Sequence, residues 1–299
     1  MTRFMTLDFV DGDRPALLAQ VAAMARGPYG YVVTPNVDHV IKLMDGRVPG
    51  DVYRGAALMT CDSRILAHLA KLRGKRLSVY PGSDMTADLL ASDHDLTFGV
   101  FGPDRAAFND LTALYPGRRF TFIEAPMLTP GTPEWDATVK AACEAEWDVL
   151  LACVSFPKQE RFAHALRAAG RPFGVTLCVG ASVDFLTGRQ HRAPVVFQQL
   201  SLEWLHRLLS QPKRMFRRYV IEGPAIFGWF VRTEVLSLDS SSPSPEGEEL
   251  QRRCLAPLHH ASHGPPPLKG RNYAATISSA CCRSTLTSWL TPRSGMVTP

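Results

Sequence analysis

Short apolar runs alternate with stretches of helical periodicity through the first 195 residues. Asp13 and Pro15 predict the start of a helix over residues 16–26, and the apolar run at residues 31–33 predicts a buried strand. Further strands are predicted at residues 55–60, 77–80, 97–101, 120–123, 148–154 and 174–179, and further helices begin near residues 37, 64, 85, 105, 132 and 157. This alternation predicts an α/β, Rossmann-like fold whose mainly parallel sheet has helices on both faces.

Polar side chains follow several of these strands, at the point where each strand ends. They are Thr34, Asn36, Asp62, Asp84, Lys158 and Gln159. Because the carboxyl ends of parallel strands lie along one edge of a sheet, we expect these side chains to converge on one crevice. The alternative for Asn36 and Asp62 is a helix N-cap, and for Asn36 the local sequence favours the cap.

The composition changes after residue 195 and again after residue 235. Residues 196–235 mix bulky apolar side chains with cations that include Arg207, Arg214 and Arg217, which predicts a basic amphipathic helical appendage to the α/β core at residues 1–195. Residues 236–299 hold eight of the 23 prolines and few periodic apolar positions, which predicts a disordered tail.

Charge and cysteine content narrow the partners and the compartment. A net charge of +5 is mild and does not indicate nucleic acid binding. The seven cysteines show neither a disulfide framework nor a zinc-binding spacing in the folded part, which fits a reducing cytoplasm. Neither a signal peptide nor a run of about 18 apolar residues is present, so we expect a cytoplasmic protein whose membrane contact is peripheral.

The apolar residues of the appendage, including the run at residues 225–231, suit a membrane interface. The alternative is packing against the α/β core or against a second subunit, so a homo-oligomer stays open.

Several familiar catalytic motifs are missing from the sequence. It contains no G-x-G-x-x-G, Walker, G-x-S-x-G or H-E-x-x-H pattern, which weakens dinucleotide, P-loop, serine hydrolase and zinc hydrolase interpretations. We therefore expect neither a cofactor nor a bound metal. His39, His68 and His164 lie on predicted helices, where we expect surface positions rather than ligands.

A carboxylate at a strand end, hydrogen-bonding neighbours and a cationic appendage remain. Such a set suits transfer of a group from a diphosphate-activated donor, in which the carboxylate removes the acceptor proton and the cations stabilise the leaving diphosphate. On chemistry alone, this interpretation is only weakly favoured over other ligand-binding functions.

The order of several motifs resembles the WecG/TagA/CpsF glycosyltransferases of bacterial surface-polysaccharide assembly. The resemblance spans about residues 32–231. It rests on T-x-N at residues 34–36, the turn at Asp62, G-x-D at residues 82–84, P-K-Q-E at residues 157–160, D-F-L-x-G at residues 184–188, R-A-P at residues 192–194, and E-W-x-x-R-L followed by P-x-R-x-x-R-R-Y at residues 203–219. Together these ordered motifs are highly specific, although P-K-Q-E alone is not.

The resemblance implies an inverting, metal-independent transferase that moves N-acetylmannosamine or a related hexose from a UDP-sugar to a polyprenyl-diphosphate-linked sugar. The reaction would take place at the inner face of the cytoplasmic membrane, in exopolysaccharide or cell-surface glycan assembly. Asp62 matches the family's general base, and Thr34 and Gln159 match residues of the same pocket. The residues expected to bind substrate are Asn36, Asp84, Lys158, Asp184, Arg207, Arg214 and Arg217.

The chain departs from the family pattern at several positions near the expected site, including residues 180–185, which stand for G-G-A-F-D-F, and Val79, where the family often has arginine. Ser63 stands where the family usually has glycine, and Phe156 stands in an approach to P-K-Q-E that is usually small and glycine-rich. These departures leave the donor sugar open. They also motivate an alternative, a catalytically inactive peripheral membrane scaffold of the same fold.

Overall fold

We describe the protein from a computed structural model, which describes residues 1–125, 129–194, 196–197 and 201–236 and, for Arg214 and residues 234–236, the backbone alone. Two short strands, β1 (Thr2–Phe4) and β2 (Leu7–Phe9), form an antiparallel hairpin. The central sheet consists of β3 (Gly30–Val33), β4 (Leu58–Met59), β5 (Thr97–Phe101), β6 (Arg119–Ile123), β7 (Val149–Ala152) and β8 (Val175–Cys178).

All pairings within this six-stranded sheet are parallel, and the strand order is β4-β3-β8-β7-β5-β6. At its carboxyl edge Val33 pairs with Met59 on one side and with Cys178 on the other, and Cys178 pairs in turn with Ala152. The ends of four neighbouring strands are therefore level, and the segments that follow them leave the sheet side by side.

Helices cover both faces of the sheet. They are α1 (Arg14–Ala25), α2 (Val37–Met44), α3 (Gly50–Arg54), α4 (Arg64–Leu72), α5 (Gly82–Ala91), α6 (Arg105–Leu114), α7 (Pro133–Glu144), α8 (Lys158–Ala168) and α9 (Ser182–Leu186). Val32 and Leu177 face a core built with α1, α5 and α6, whereas Val33 and Cys178 face the opposite core with α2 and α4. This burial on two faces explains why every residue of β3, β7 and β8 is buried and why all but Thr176 are apolar, aromatic or small.

The predicted Rossmann-like α/β fold is confirmed, and α4, α6 and β5 have the predicted bounds. Two strand predictions differ from the structure. Residues 55–60 contribute only the two-residue β4, and the strand predicted at residues 77–80 is wrong because that segment meets the sheet in a single bridge between Cys61 and Val79. The hairpin β1–β2, for which the sequence analysis made no prediction, lies against this side of the sheet, where the Val10 N–H donates to the Met59 carbonyl at 2.9 Å.

Helix α5 begins earlier than its sequence pattern predicts. Residues 82–84 form its first turn rather than a loop, with Pro81 at the N-cap position. A Cβ at Gly82 would lie 3.1 to 3.2 Å from atoms of Val179, so the glycine lets this helix approach the end of β8 closely.

Within residues 201–236, as far as the structure describes them, helices and a π-helical segment follow one another. They are α10 (Glu203–Ser210), α11 (Pro212–Phe216), the π-helical segment Arg217–Glu222, and α12 (Ala225–Leu236). Pro212 opens α11, as its position predicts. On α12, Ile226 is buried beside α2, and Trp229 donates its indole N–H to Asp45 at 2.8 Å.

Candidate active site

A cavity of about 690 Å³ lies at the carboxyl edge of the sheet, between the strand ends and the C-terminal helices. Four of the predicted strand-end residues line it, namely Thr34, Asn36, Asp62 and Gln159. The other walls come from the start of α2, the segment after β8, helix α10 and the π-helical segment. The cavity is thus bounded by the α/β core on one side and by cationic helices on the other.

Asp62 lies in the turn between β4 and α4, where its backbone N–H donates to the carbonyl of Pro35 at 3.0 Å. The alternative role of Asp62 as the cap of α4 is wrong. Ser63 is the N-cap, and its Oγ accepts the N–H of Leu66 at 3.3 Å. Within the described part of the chain, no hydrogen bond or ion pair holds the Asp62 carboxylate, so it stays available to a ligand in the cavity.

Burial raises the pKa of Asp62 to about 6, because removal from water disfavours the charged carboxylate. The positive charges of Arg207, His39 and Arg192 act in the opposite direction, with Arg207 the strongest of them, whereas Glu203 raises the pKa further. A carboxylate with such a pKa is ionised at neutral pH and can still take up a proton readily.

Thr34 and Asn36 hold the end of β3 in place beside Asp62. The Thr34 hydroxyl donates to the backbone carbonyl of Cys178 at 3.0 Å, which joins the ends of β3 and β8. Asn36 is the N-cap of α2, as expected, because its Oδ1 accepts the N–H of Asp38 at 3.0 Å. The cap uses the amide oxygen of Asn36 and leaves its amide NH₂ free of that task.

Gln159, at the start of α8, connects the ends of β7 and β8. Its Oε1 accepts the backbone N–H of Gly180 at 2.8 Å, and its Nε2 donates to Oε1 of Glu160 at 2.7 Å. The side-chain amide therefore has a fixed orientation, and one N–H of its NH₂ group stays available on a residue that lines the cavity.

His39 and Phe156 form a second wall of the cavity. Their rings lie 4.0 Å apart between centroids, and the ammonium group of Lys42 lies 5.1 Å from the Phe156 ring centroid. The carboxylate of Asp38 accepts from Lys42 at 3.0 Å and pairs with Arg218 of the π-helical segment at 3.4 Å. This ion pair connects the C-terminal helices to α2 at the mouth of the cavity.

Arginines supply most of the positive charge around the cavity. Arg207 of α10 lines it and lies over the ring of Phe185 at 5.4 Å. Arg217 also lines it, with its side chain 81% exposed and its Nε 3.1 Å from a carboxylate oxygen of Glu222. The side chain of Arg214 lies outside what the structure describes.

Three predicted substrate-binding residues are absent from the described lining of this cavity. Asp84, in the first turn of α5, forms ion pairs with Arg14, at 3.2 Å, and with Arg192. Lys158 is the first residue of α8, and Asp184 lies in α9. The shift of Asp84 from a loop into a helix explains its position, because the first turn of α5 directs it towards Arg14.

A second cavity of about 390 Å³ adjoins the first. Both cavities are lined by Asn36, Asp38, Asp62, Arg207 and Arg218. The remaining lining of the second cavity is largely apolar and includes Ile41, Ile65, Trp204, Ile226 and Phe227. Asp62 therefore stands between a polar cavity and a more apolar one.

His39 is the main residue that sequence reasoning placed wrongly. It is buried, with 5% of the residue exposed, and lines the cavity rather than facing solvent. The signal was its position three residues after Asn36, where a side chain can reach back to the N-cap residue, and Nδ1 of His39 here lies 2.9 Å from Oδ1 and 3.4 Å from the backbone N of Asn36. Asp38, Arg189 and Arg218 also line the cavity, and no local motif distinguishes them from surface charges.

Within the described residues, no group of three or more His, Cys, Asp and Glu side chains is arranged to hold a metal ion. The helices of that same part of the chain are all too short or too polar to cross a membrane.

Comparison with known protein families assigns most of the chain to one of them. The family described as "Glycosyl transferase WecG/TagA/CpsF family" matches residues 2–239. The match covers most of the chain, including every strand and helix described above.

Proposed function

The chain belongs to the WecG/TagA/CpsF glycosyltransferase family, and we propose that it transfers N-acetylmannosamine or a related hexose from a UDP-sugar to a polyprenyl-diphosphate-linked sugar. The proposed reaction is a single displacement that inverts the anomeric centre. The acceptor hydroxyl oxygen forms a bond to the anomeric carbon while the bond from that carbon to the UDP oxygen breaks. The hydroxyl proton passes to the base, and UDP leaves with the bonding electron pair.

The observation that carries this proposal is the environment of Asp62. Its carboxylate is spared from capping α4, faces two cavities and has a pKa raised by burial to about 6. A general base works best when its pKa lies near the operating pH, since it is then ionised and still a competent proton acceptor. We assign the removal of the acceptor proton to Asp62.

Cations and amide donors around the first cavity suit a departing diphosphate. Arg207 and Arg217 line the cavity and would stabilise the charge that grows on UDP, without a role for a metal ion. Thr34, Asn36 and Gln159 would position the donor, because their side chains are fixed by hydrogen bonds and border the same space. Asp84, Lys158 and Asp184 lie outside the described lining of the cavity, and their contact with substrate stays a prediction.

The two cavities suggest separate sites for donor and acceptor. The larger, polar cavity suits the nucleotide and its sugar, whereas the apolar lining of the second suits the part of the acceptor next to the lipid. A base that lines both cavities can reach an acceptor hydroxyl directed at the donor sugar.

The C-terminal helices support a peripheral membrane location, which we propose to be the inner face of the cytoplasmic membrane. They expose apolar side chains beside cations such as Lys213 and Arg217. The exposed apolar residues are Leu209, Phe216, Val220, Ile221, Phe227 and Val231. Apolar side chains flanked by cations are typical of elements that bind anionic lipid surfaces.

The test is a transfer assay with purified full-length protein, a panel of UDP-sugars and a polyprenyl-diphosphate-linked sugar acceptor. UDP release that requires both substrates, and that selects one UDP-sugar, is the expected result. Stabilisation of the protein against heat by UDP, measured in parallel, separates an enzyme that lacks its proper acceptor from the inactive scaffold, which should not respond to nucleotide.

A further inference from the structure

Glu160 is a buried carboxylate that the proposed reaction does not use. Its side chain is fully buried, and Oε1 accepts from the amide of Gln159 at 2.7 Å and lies 3.3 Å from Nε2 of His39. Its other oxygen, Oε2, has no hydrogen-bond partner in the described structure. Burial of a carboxylate is costly unless hydrogen bonds or a positive charge compensate it, so this residue calls for an explanation.

Glu160 is the centre of a chain of hydrogen bonds that joins three strand ends. On one side, Gln159 connects it to the backbone N–H of Gly180 after β8. On the other, His39 connects it to Asn36 after β3, with 2.9 Å between Nδ1 of the imidazole and Oδ1 of the amide. Glu160 itself follows β7. This series of hydrogen bonds thus connects residues of the cavity lining, namely Asn36, His39, Gln159 and Gly180, through the buried Glu160 behind them.

The same contacts define the hydrogens of the His39 ring. Nδ1 of His39 lies 2.9 Å from Oδ1 of Asn36, which accepts the backbone N–H of Asp38 and is therefore the amide oxygen, and 3.4 Å from the backbone N of Asn36. One nitrogen cannot donate to the oxygen and accept from the N–H at the same time, and the shorter contact, to an atom that can only accept, assigns a proton to Nδ1. Nε2 faces Oε1 of Glu160, a second acceptor. An imidazole between two acceptors suits the form that carries a proton on both nitrogens, and that form is positively charged.

We propose that Glu160 and His39 act as one buried positioning pair, which holds the strand ends around the cavity and places a positive charge beside Asp62. The inference rests on the proposed function in so far as Asp62 is the base. Neither residue transfers a proton to or from substrate in this scheme. Glu160 acts through His39, and His39 acts on Asp62 through its charge.

Other charged groups also act near the pair. Asp62 is influenced by Arg207 and Glu203 of α10 and by Arg192, in addition to His39. On α2, Asp38 and Lys42 lie one and three residues from His39, and Arg218 pairs with Asp38.

Glu160 acts electrostatically on Tyr31, Tyr53 and Cys178, whose pKa values are all raised, mainly by burial, so they stay uncharged. Among the charged groups that act on Asp62, His39 is thus the one whose position depends on Glu160.

The decisive measurement follows the titration of the Asp62 carboxyl by ¹³C NMR in full-length protein labelled at the aspartate carboxyl carbons, with D62N to assign the resonance. In H39Q and in E160Q the midpoint should move upwards by about 0.5 to 1 pH unit, because loss of a nearby positive charge favours the protonated carboxyl. In the double variant the shift should equal that of one single variant, since the two residues act as a unit.

The matched controls are H94Q and E144Q, which make the same chemical changes at exposed positions. They should leave the Asp62 midpoint unchanged. E160Q keeps nearly the same side-chain volume, so it decides the question if H39Q fails to fold. An unchanged midpoint in folded E160Q, or an equal shift in the controls, would overturn the pairing.

Activity gives a second, separable readout. In H39Q and E160Q the acid limb of the pH dependence of kcat/KM should move to higher pH. A purely structural defect would instead lower kcat/KM by the same factor at every pH. If the midpoints shift as expected but the wild-type protein transfers no sugar, the proposed function fails and the pair stands. If sugar is transferred and the midpoints do not move, the pair fails alone.

Discussion

Asp62 and Ser63 are adjacent in the turn after β4, and they divide its two tasks. Ser63 Oγ accepts the N–H of Leu66 and caps α4, while the carboxylate of Asp62 faces both cavities. In most such turns an aspartate would itself serve as the cap. Ser63, one of the departures from the family pattern, caps the helix instead, so the carboxylate of Asp62 is available to act on a substrate.

This division predicts separate effects of two substitutions. D62N should lower kcat by about a hundredfold or more, because the general base is lost. S63A should retain most of the activity and reduce the free energy of unfolding by about 1 kcal/mol, because a cap is lost. Steady-state transfer assays and urea unfolding of both variants check this. Full activity in D62N would remove Asp62 from the mechanism.

The pKa of Asp62 predicts the pH dependence of transfer. Since the carboxylate must be ionised to accept a proton, kcat/KM should rise with pH through about 6 and level off above neutrality. The acid limb should be absent from the residual activity of D62N. A wild-type limb near pH 4, where an ordinary aspartate titrates, would contradict the raised pKa.

The same pKa predicts that Asp62 reduces stability at neutral pH. The folded protein binds the Asp62 proton more tightly than the unfolded chain, so the contribution of this proton to stability is present below about pH 4. It is lost as pH rises through about 6. Between pH 4 and pH 7.5, the free energy of unfolding of D62N should therefore rise by on the order of 2 kcal/mol relative to that of wild type.

Urea unfolding of D62N and wild type at those two pH values tests this prediction. S63A is the control, because the loss of a cap should lower its free energy of unfolding by a similar amount at both pH values. A difference between D62N and wild type that does not change with pH would show that the carboxylate is not desolvated in the folded state.

Arg207 and Arg217 should differ in their effects. R207Q should raise the KM for the UDP-sugar about tenfold and move the acid limb to higher pH, since Arg207 is the strongest positive charge acting on Asp62. R217Q should raise the KM for the UDP-sugar and weaken the dependence of that KM on salt. It should leave the acid limb of the pH profile in place, because the Arg217 side chain is 81% exposed and its charge is screened by water.

The control for both arginines is R3Q, a substitution at an exposed position of β1 that also removes one positive charge. Kinetics at two salt concentrations and several pH values separate the three variants. Identical profiles for R207Q and R3Q would argue against contact between Arg207 and the donor.

The exposed apolar side chains of the C-terminal helices should mediate membrane binding. The triple variant F216S/I221S/F227S should bind vesicles of mixed neutral and anionic lipid at least about tenfold more weakly than wild type, because its apolar contact with the bilayer is lost. Flotation of full-length protein with such vesicles measures the effect.

The matched control is the triple variant L72S/L114S/F173S, which removes equally exposed apolar side chains outside these helices. Phe173 precedes β8 and so lies at the amino edge of the sheet, away from the cavity. The variant L72S/L114S/F173S should bind vesicles as wild type does. Equal binding by both triple variants would exclude the C-terminal helices as the contact surface.

Periodicity and cap residues in the sequence were sufficient to predict the α/β fold and the approximate starts of most helices in its core. The runs around Val33 and Leu151 are apolar on both faces, and such runs occur in strands buried on both sides, so their assignment follows from local sequence. The segment at residues 77–80 has the same local character but makes only one bridge. Strand pairing depends on partners distant in the chain, which local pattern does not contain.

For the site, the rule that parallel strands end at one edge is sufficient to predict that Thr34, Asn36, Asp62 and Gln159 share one crevice, and the structure has all four in the lining of one cavity. This rule did not foresee that Asp84 lies outside the described lining, because the close approach of Gly82 to Val179 at the start of α5 is a tertiary contact.

The sequence by itself determined the strand-helix order and the polar residues at the strand ends, because both follow from short-range pattern and backbone chemistry. Only the tertiary structure decided which carboxylate is spared from capping, that burial raises its pKa, and that Glu160 and His39 meet although they are 121 residues apart. Burial and charge contacts are properties of neighbours in space, and folding alone brings these neighbours together.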